Sequence, residues 1–263
     1  MAAECFFYIW PIQHNMVITE VKDKASKKAF LDVARIIYKN DDNWVCPLDN
    51  DVEAVFDPKK NNFHQFGKCT RWILRDNNGQ LIGRVAAFIN NKKALNYEQP
   101  TGGMGFFECI NDKAAAFILF DTAKNWLKEN GMQAMDGPIN FGENDNFWGL
   151  LSEGFTPPSY GMNYNPPYYK AFFDDYGFKT LYEQITNHLQ VHKPFPERFY
   201  KIAKWVTQKP GYEFKHLEVS KIEKFAADFI EIYNDAWAGF ENFVPITYDT
   251  ILESFKKNEA HYG

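Results

Sequence analysis

The densest set of ligand-type side chains in this sequence is GFTPPSYGMNYNPPYY, residues 154 to 169. Its prolines stiffen the chain without regular hydrogen bonding, while Tyr160, Asn163, Tyr164 and Asn165 offer polar-tipped rings and amides of the kind that line small-molecule sites. Asn140, at the head of the same Gly/Asn/Pro-rich connection, joins them in a candidate substrate pocket; the alternative is a rigid cover. The stretch runs straight into YYKAFFDDYGF, residues 168 to 178, a short helix bounded by Pro166, Pro167 and Gly177. Its rings either pack that helix down or close a pocket over a substrate.

Other motifs with chemical promise lead elsewhere. TGGMG (101–105) has the glycines of a phosphate loop but not the lysine that follows in a Walker sequence, so it reads as a turn leading into a strand. GENDNFWG (142–149) offers Glu143 and Asp145 as oxygen ligands without the full spacing of a calcium loop, and reads as a solvated loop or pocket rim. The six histidines fall in no metal-binding spacing, so no metal is expected. Cys109, beside Glu108, has no histidine near it in sequence and reads as a buried strand residue.

Composition narrows the partners. A net charge of −5 with no dense Lys/Arg stripe leaves no surface to neutralise the phosphates of a nucleic acid. Four scattered cysteines without a CxxC pair argue against a zinc ribbon or a disulfide scaffold and fit a reducing cytoplasm. The early apolar run from Cys5 to Ile12 contains Pro11 and is too short for a membrane anchor. The expectation is a cytoplasmic globular protein that contacts neither nucleic acid nor membrane.

The elements that must position these residues follow from periodicity. Phe30, Leu31, Ala34, Ile37 and Tyr38 make one helical stripe. TRWILRDNNGQLIGRVAAFIN (70–90) is a hairpin turning at Asp76 to Gly79. Met104 to Cys109 is a further strand, and Ala115, Ile118, Leu119, Thr122, Ala123, Trp126 and Leu127 keep the i, i+3, i+4 spacing of a long helix capped by Asn111 or Asp112 and closed by Gly131. MQAMDGPIN (132–140) supplies another strand, and Leu181, Ile185, Leu189 and Val191 alternate with polar residues as a last one. The sum is an α/β (α+β) protein with a mixed, mostly antiparallel sheet flanked by helices.

Residues 1–16 read as an N-terminal extension, 17–192 as the first domain and 193–211 as a linker helix. Residues 212–263 repeat the opening: Ile232-Tyr233 matches Ile37-Tyr38, Val244 to Ile246 matches Val45 to Leu48, and Phe255 matches Phe56. Ser220 to Glu223 has the pattern of a capping box. The segment reads as the opening helices of an incomplete second domain, or as chance similarity of two amphipathic helices. If it is a repeat, its apolar faces need cover from the first domain or from a second copy, as in a homodimer.

Hairpin, strand, long helix, strand, short helix and a Gly-Phe pair come in the order of the GNAT acyltransferase superfamily, and FFDDYGFK (172–179) resembles its late aromatic motif. GPIN, GLLSEGF and YNPPYY further resemble an uncharacterised bacterial group with two such domains in tandem. The resemblance implies acetyl-CoA or another acyl-CoA as co-substrate and a small-molecule amine as acceptor. It also implies a pantetheine arm along Phe107 and Cys109, with pyrophosphate at Ile110, Asn111, Lys113, Ala114 and Ala115, where helix amides favour an anion. The usual Gly-rich loop is replaced here by Ile-Asn-Asp-Lys-Ala-Ala-Ala, with Asp112 where phosphate would sit. Glu108 takes the place of a base, and Tyr169, one turn before Phe173 at the usual acid position, that of the acid. The alternative is a non-catalytic module of the same fold that binds a ligand or stabilises a partner.

Overall fold

The structure, a computed structural model, describes residues 16–95, 98–141, 146–240, 243 and 245–257. The chain divides into two compact units, one ending at Thr180 and one beginning at Leu181.

The first unit carries a five-stranded sheet in the order β1 (Val17–Glu20), β2 (Gly67–Arg75), β3 (Leu81–Asn90), β4 (Thr101–Cys109), β5 (Ala134–Asp136). Its helices are α1 (Lys24–Ile37), α2 (Asp49–Val55), the short α3 (Asn91–Ala94), α4 (Lys113–Glu129) and α5 (Tyr169–Tyr176). Strands β1 to β4 are antiparallel neighbours, and α4 is the crossover that returns the chain so that β5 lies parallel to β4. Helices cover both faces, which is why β3 is buried without a break from Ile82 to Ile89, Arg84 included, instead of at alternate residues.

On one face, Phe30 and Val33 of α1 and Val52 and Val55 of α2 bury against Ile73, Ala86, Phe88 and Phe106. On the other, Leu119, Phe120, Ala123 and Leu127 of α4 and Phe172 and Phe173 of α5 bury against Leu74, Val85, Ala87 and Met104. Full burial of a ring such as Phe120 contributes about 1.5–3 kcal/mol. Local signals agree with this packing. Gly79 sits at φ 76° in the β2–β3 turn, held by its N–H to the Asp76 carbonyl at 3.0 Å. Asp112 caps α4, accepting from the Ala114 and Ala115 amides at 2.8 and 3.1 Å, and Gly177 closes α5 in the left-handed conformation.

Three expectations need correction. Thr101 to Gly105 are not a turn but the first half of β4. Their glycines serve close approach, since a Cβ on Gly103 would lie 2.0 Å from Ile139 Cδ1 and one on Gly105 1.9 Å from the Ile139 carbonyl oxygen. The alternating residues from Leu181 to Val191 form no strand; Leu181, Ile185 and Val191 are exposed. Alternation makes a strand only where a neighbouring edge accepts its hydrogen bonds, and among the described residues this segment pairs with none. Ser220 falls in a 3-10 turn, and α7 (Ile222–Trp237) starts at Lys221 without a side-chain cap.

The second unit holds α6 (Glu197–Thr207), α7 and α8 (Tyr248–Lys257). Phe229 of α7 meets Phe255 of α8 at 6.0 Å between ring centroids. The Asn234 amide clasps Ile246 at its N–H (2.9 Å) and carbonyl (3.1 Å), fixing the α7–α8 link. Among the described residues, no helix is long and apolar enough to cross a membrane.

Candidate active site

The site grows from an irregularity in β4. The β3–β4 register shifts between Arg84 and Ala86, and opposite that shift Phe106 takes a positive φ of 48°. A non-glycine residue in the left-handed region costs about 1–3 kcal/mol and needs surrounding structure to hold it. Here the Phe106 ring packs among Phe30, Phe56, Phe88 and Phe147. Two residues on, Glu108 pairs in register with Arg84 inside the first unit.

Glu108, its side chain 12% exposed, is held by partners from three places: the end of α1, β3 and α5. Tyr38, just past α1, donates its hydroxyl to Glu108 Oε2 at 2.8 Å, and Tyr169 of α5 donates to the same oxygen at 2.9 Å. Oε1 makes, among the described residues, one long contact with Arg84 Nη2 at 3.4 Å. Arg84 is itself held by the Phe30 carbonyl at 2.8 Å and lies over the Phe30 ring, while its Nε has no hydrogen-bond partner among the described residues. Burial raises the Glu108 pKa above the ordinary carboxylate value, opposed by Arg84 and the two tyrosine hydroxyls. Burial, then the Glu108 charge, pushes Tyr38 and Tyr169 well above the usual tyrosine value. The arrangement is a buried carboxylate of enhanced basicity with one oxygen tied down and one lightly held. That is what a general base requires.

Glu108, Arg84 and Tyr169 line a cavity of about 70 Å³, together with Asn163, Tyr164 and Asn165. A cavity of about 860 Å³ lies next to it, with Tyr160 and Asn140 in its wall, and Val45, Pro47, Phe147, Pro158 and Met162 line both. The five residues read from sequence as a substrate pocket therefore stand around these two spaces. The asparagines chiefly build the wall: Asn165 Oδ1 accepts from the Leu151 amide at 2.7 Å, Asn163 Nδ2 donates to Asn165 Oδ1 at 3.0 Å, and Asn140 Oδ1 accepts from the Phe141 amide at 2.7 Å. Tyr164 donates to Asp41 at 2.8 Å, and Tyr160 to Asp51 at 2.6 Å. Glu143 and Asp145 lie outside the described residues, among which no three metal-ligating side chains converge.

The residues expected to hold acyl-CoA are engaged otherwise. Strand β5 leaves β4 after the Gly103–Asp136 pair, so the two strands do part. Yet the Cys109 N–H donates to the Tyr169 hydroxyl at 2.7 Å, and the Cys109 carbonyl accepts from the Tyr168 hydroxyl at 2.8 Å. Phe107 stacks on Phe120 at 4.7 Å and meets Tyr169 edge-on at 5.0 Å. At the start of α4 the Asp112 carboxylate occupies the Ala114 and Ala115 amides, Lys113 pairs with Asp175 at 2.9 Å, the Ile110 N–H bonds the Ile82 carbonyl, and Asn111 is exposed. As arranged here, these groups do not fit a pantetheine arm and pyrophosphate. Burial pushes the Cys109 thiol up as well, away from nucleophile chemistry. Phe173 is buried against Phe107 and Phe120, so at that position the aromatic helix is packing.

Sequence reasoning missed Tyr38 and Arg84. The signal for Arg84 was an arginine within the apolar run LIGRVAAFIN, where a charge is buried only with a partner. Nothing local marks Tyr38, which reaches Glu108 across 70 positions of sequence.

No protein-family model matches the chain. It is 27% identical over 242 residues to Protein YghO of Escherichia coli and 27% over 239 residues to the bacterial ceramide synthase of Caulobacter vibrioides, covering 90% and 89% of this chain. The chain spans about 60% of the length of each of these curated relatives. Among solved structures, it is similar to the GCN5-related glucosamine N-acetyltransferase region of a fungal multi-domain β-N-acetylglucosaminidase (TM-score 0.47, 12% identity, 96% of this chain, 25% of that one). It is also similar to a tandem GNAT protein of the clavulanic acid biosynthesis pathway (0.41, 12%, 62% and 43%) and to a GNAT-family acetyltransferase of Staphylococcus aureus (0.32, 16%, 44% and 68%). These structural neighbours are thus acetyltransferases of the GNAT or GCN5-related type, the superfamily that the sequence motifs resemble.

Proposed function

We propose that the chain carries the acceptor-activating centre of an N-acyltransferase. Glu108 Oε1 takes the proton from a substrate amine as its nitrogen attacks an activated acyl carbon. The C–N bond of an amide forms, the bond to the leaving group breaks, and the leaving group takes up the proton that Glu108 received from the amine, which returns the carboxylate to its starting state. The observation that carries this reading is the buried Glu108, raised in pKa and set in the wall of a cavity. Tyr38 and Tyr169 hold the other carboxylate oxygen in place, so Tyr169 is a positioning residue for Glu108.

Acyl-CoA is the donor that the superfamily resemblance implies. Because Asp112, Tyr168 and Tyr169 engage the groups that would receive it, no step is assigned to it here. A relative named bacterial ceramide synthase fits amide formation, a ceramide being an N-acylated amino alcohol. A cytoplasmic setting, a homodimer and a repeat of the opening helices within residues 212–263 belong to the same proposal.

The test is product detection by mass spectrometry with acyl-CoA and a panel of amines, comparing the native protein with Glu108→Gln. Amide that disappears with Glu108→Gln supports the reading; equal amide from both overturns it. The second reading, a non-catalytic ligand-binding module, is favoured by the self-occupied α4 start and by Phe173 at the acid position. It expects no amide from either protein.

A further inference from the structure

Helix α6 has no buried residue, although Phe199, Ile202, Ala203 and Val206 keep the i, i+3, i+4, i+7 spacing of an apolar stripe. Phe199, Ile202 and Trp205 are 45%, 53% and 57% exposed. Phe195 extends the stripe just before the helix, its ring 5.9 Å from that of Phe199. The opposite face carries Glu197, Lys201 and Lys204, and the borders between the two carry Arg198 and Trp205 on one side and Tyr200 on the other. From Lys193 to Lys209 the chain has five Lys/Arg and one Glu, a net charge of +4 within a protein of net charge −5. Glu197 pairs with Lys201 at 3.1 Å and Lys209 lies 3.7 Å over the Trp205 ring, while Lys193, Arg198 and Lys204 have no carboxylate partner among the described residues.

We propose that α6 lies flat on an anionic lipid surface, with its apolar stripe at the acyl boundary and its cations among the head-group phosphates. Charge selects this occupant. A second copy would set the same cations against one another, and a helix of 11 residues, about 16 Å long, offers much less than the roughly 800 Å² per partner of a stable protein interface. A lipid surface asks for less, because a basic amphipathic helix sinks only about 5–10 Å into the head-group region. Trp205 and Tyr200 stand where the apolar face gives way to the charged one, which is where rings with one polar tip settle between acyl chain and head group. Long Lys and Arg side chains can follow, laying their stems along the apolar layer and their charges in water. Such contact is distinct from spanning, for which no described helix is long and apolar enough. The overall charge of −5 hides it, since the cations are gathered in one short stretch. Nothing in this inference depends on Glu108, so it stands or falls separately from acyl transfer.

Flotation of the full chain with vesicles of phosphatidylcholine, alone or mixed with phosphatidylglycerol, tests it. Each Lys or Arg near an anionic surface adds roughly fivefold to the partition, so three unpaired cations give on the order of a hundredfold preference for the mixed vesicles. Ile202→Asp puts a charge in the stripe and weakens binding by about tenfold or more, and Lys201→Glu with Lys204→Glu removes most of the preference. All three positions are exposed, and an unchanged urea midpoint shows that each variant is folded. Brominated lipid quenches a part of the native fluorescence that Trp205→Phe lacks. Equal partition into both vesicles, or binding that survives Ile202→Asp undiminished, overturns the proposal. Self-association that Ile202→Asp abolishes, without vesicle binding, assigns the stripe to a second copy and overturns it too.

Discussion

The Tyr169 hydroxyl stands 2.9 Å from Glu108 Oε2, donating to it, and accepts from the Cys109 amide at 2.7 Å, so one phenol ties a candidate base to the edge of the strand that carries it. Removing that hydroxyl disturbs two groups at once. Tyr169→Phe leaves the Cys109 N–H unsatisfied in a buried position, which costs about 1–3 kcal/mol of stability in urea unfolding. It also withdraws a hydrogen bond from the carboxylate form, so the Glu108 pKa rises further and the alkaline-going limb of the rate profile moves to higher pH. A variant with unchanged stability and an unmoved limb would show that the hydroxyl is idle.

Glu108→Gln keeps the shape and both tyrosine contacts but removes the base. Acyl transfer falls by roughly 10²- to 10⁴-fold, and the limb assigned to Glu108 disappears from the pH profile. The sign follows from the raised pKa: the base works only when deprotonated, so the native rate climbs with pH through a value above the ordinary glutamate range.

The same shift makes a stability prediction of opposite slope. Burial raises the folded-state pKa of Glu108, so its stabilising contribution is full below the unfolded value of about 4.3 and is lost as pH rises through the folded one. Urea midpoints of the native protein therefore decline across that window, and Glu108→Gln removes this part of the decline.

At the start of α4, Asp112→Ser keeps a capping oxygen and removes the charge that now occupies the anion position. Stability changes by less than about 1 kcal/mol, while the affinity for pyrophosphate measured by calorimetry increases about fivefold. An increase with CoA as well would identify Asp112 as the element that keeps this helix from its expected ligand.

Gly105→Ala tests the crossing of β4 by the segment that follows β5. The added methyl would sit 1.9 Å from the Ile139 carbonyl oxygen, a backbone atom with little freedom to yield. A loss of about 3 kcal/mol or more is expected in chemical denaturation, whereas Gly131→Ala, an open turn position with φ 86°, costs about 1 kcal/mol through backbone strain alone.

The elements that positioned themselves in the sequence were those with a local cause. The α4 stripe, the Asp76 to Gly79 turn and the Gly177 stop each depend on residues within one turn of one another, and each stands where periodicity and turn chemistry put it. The strand expected over Leu181 to Val191 failed because alternation records a preference for a pleated surface and not the presence of a partner. The site divides in the same way. Glu108 and Tyr169 were singled out as base and acid through the resemblance in element order; the structure brings them within 2.9 Å, with the Tyr169 hydroxyl engaged by Glu108 and the Cys109 amide. Tyr38 and Arg84 were not singled out, because what makes them partners of Glu108 is the β3–β4 register and the seat of α1, both properties of the assembled sheet.

Where β5 departs from β4, a sheet acquires an inner border, and a bare border is a template on which foreign polypeptide can dock as an extra strand. Tyr168 and Tyr169 occupy the carbonyl and the amide of Cys109 from within the same unit. The split is thereby stoppered at this point against uninvited strand addition, and the double variant Tyr168→Phe, Tyr169→Phe should form larger assemblies in light scattering than the native chain does.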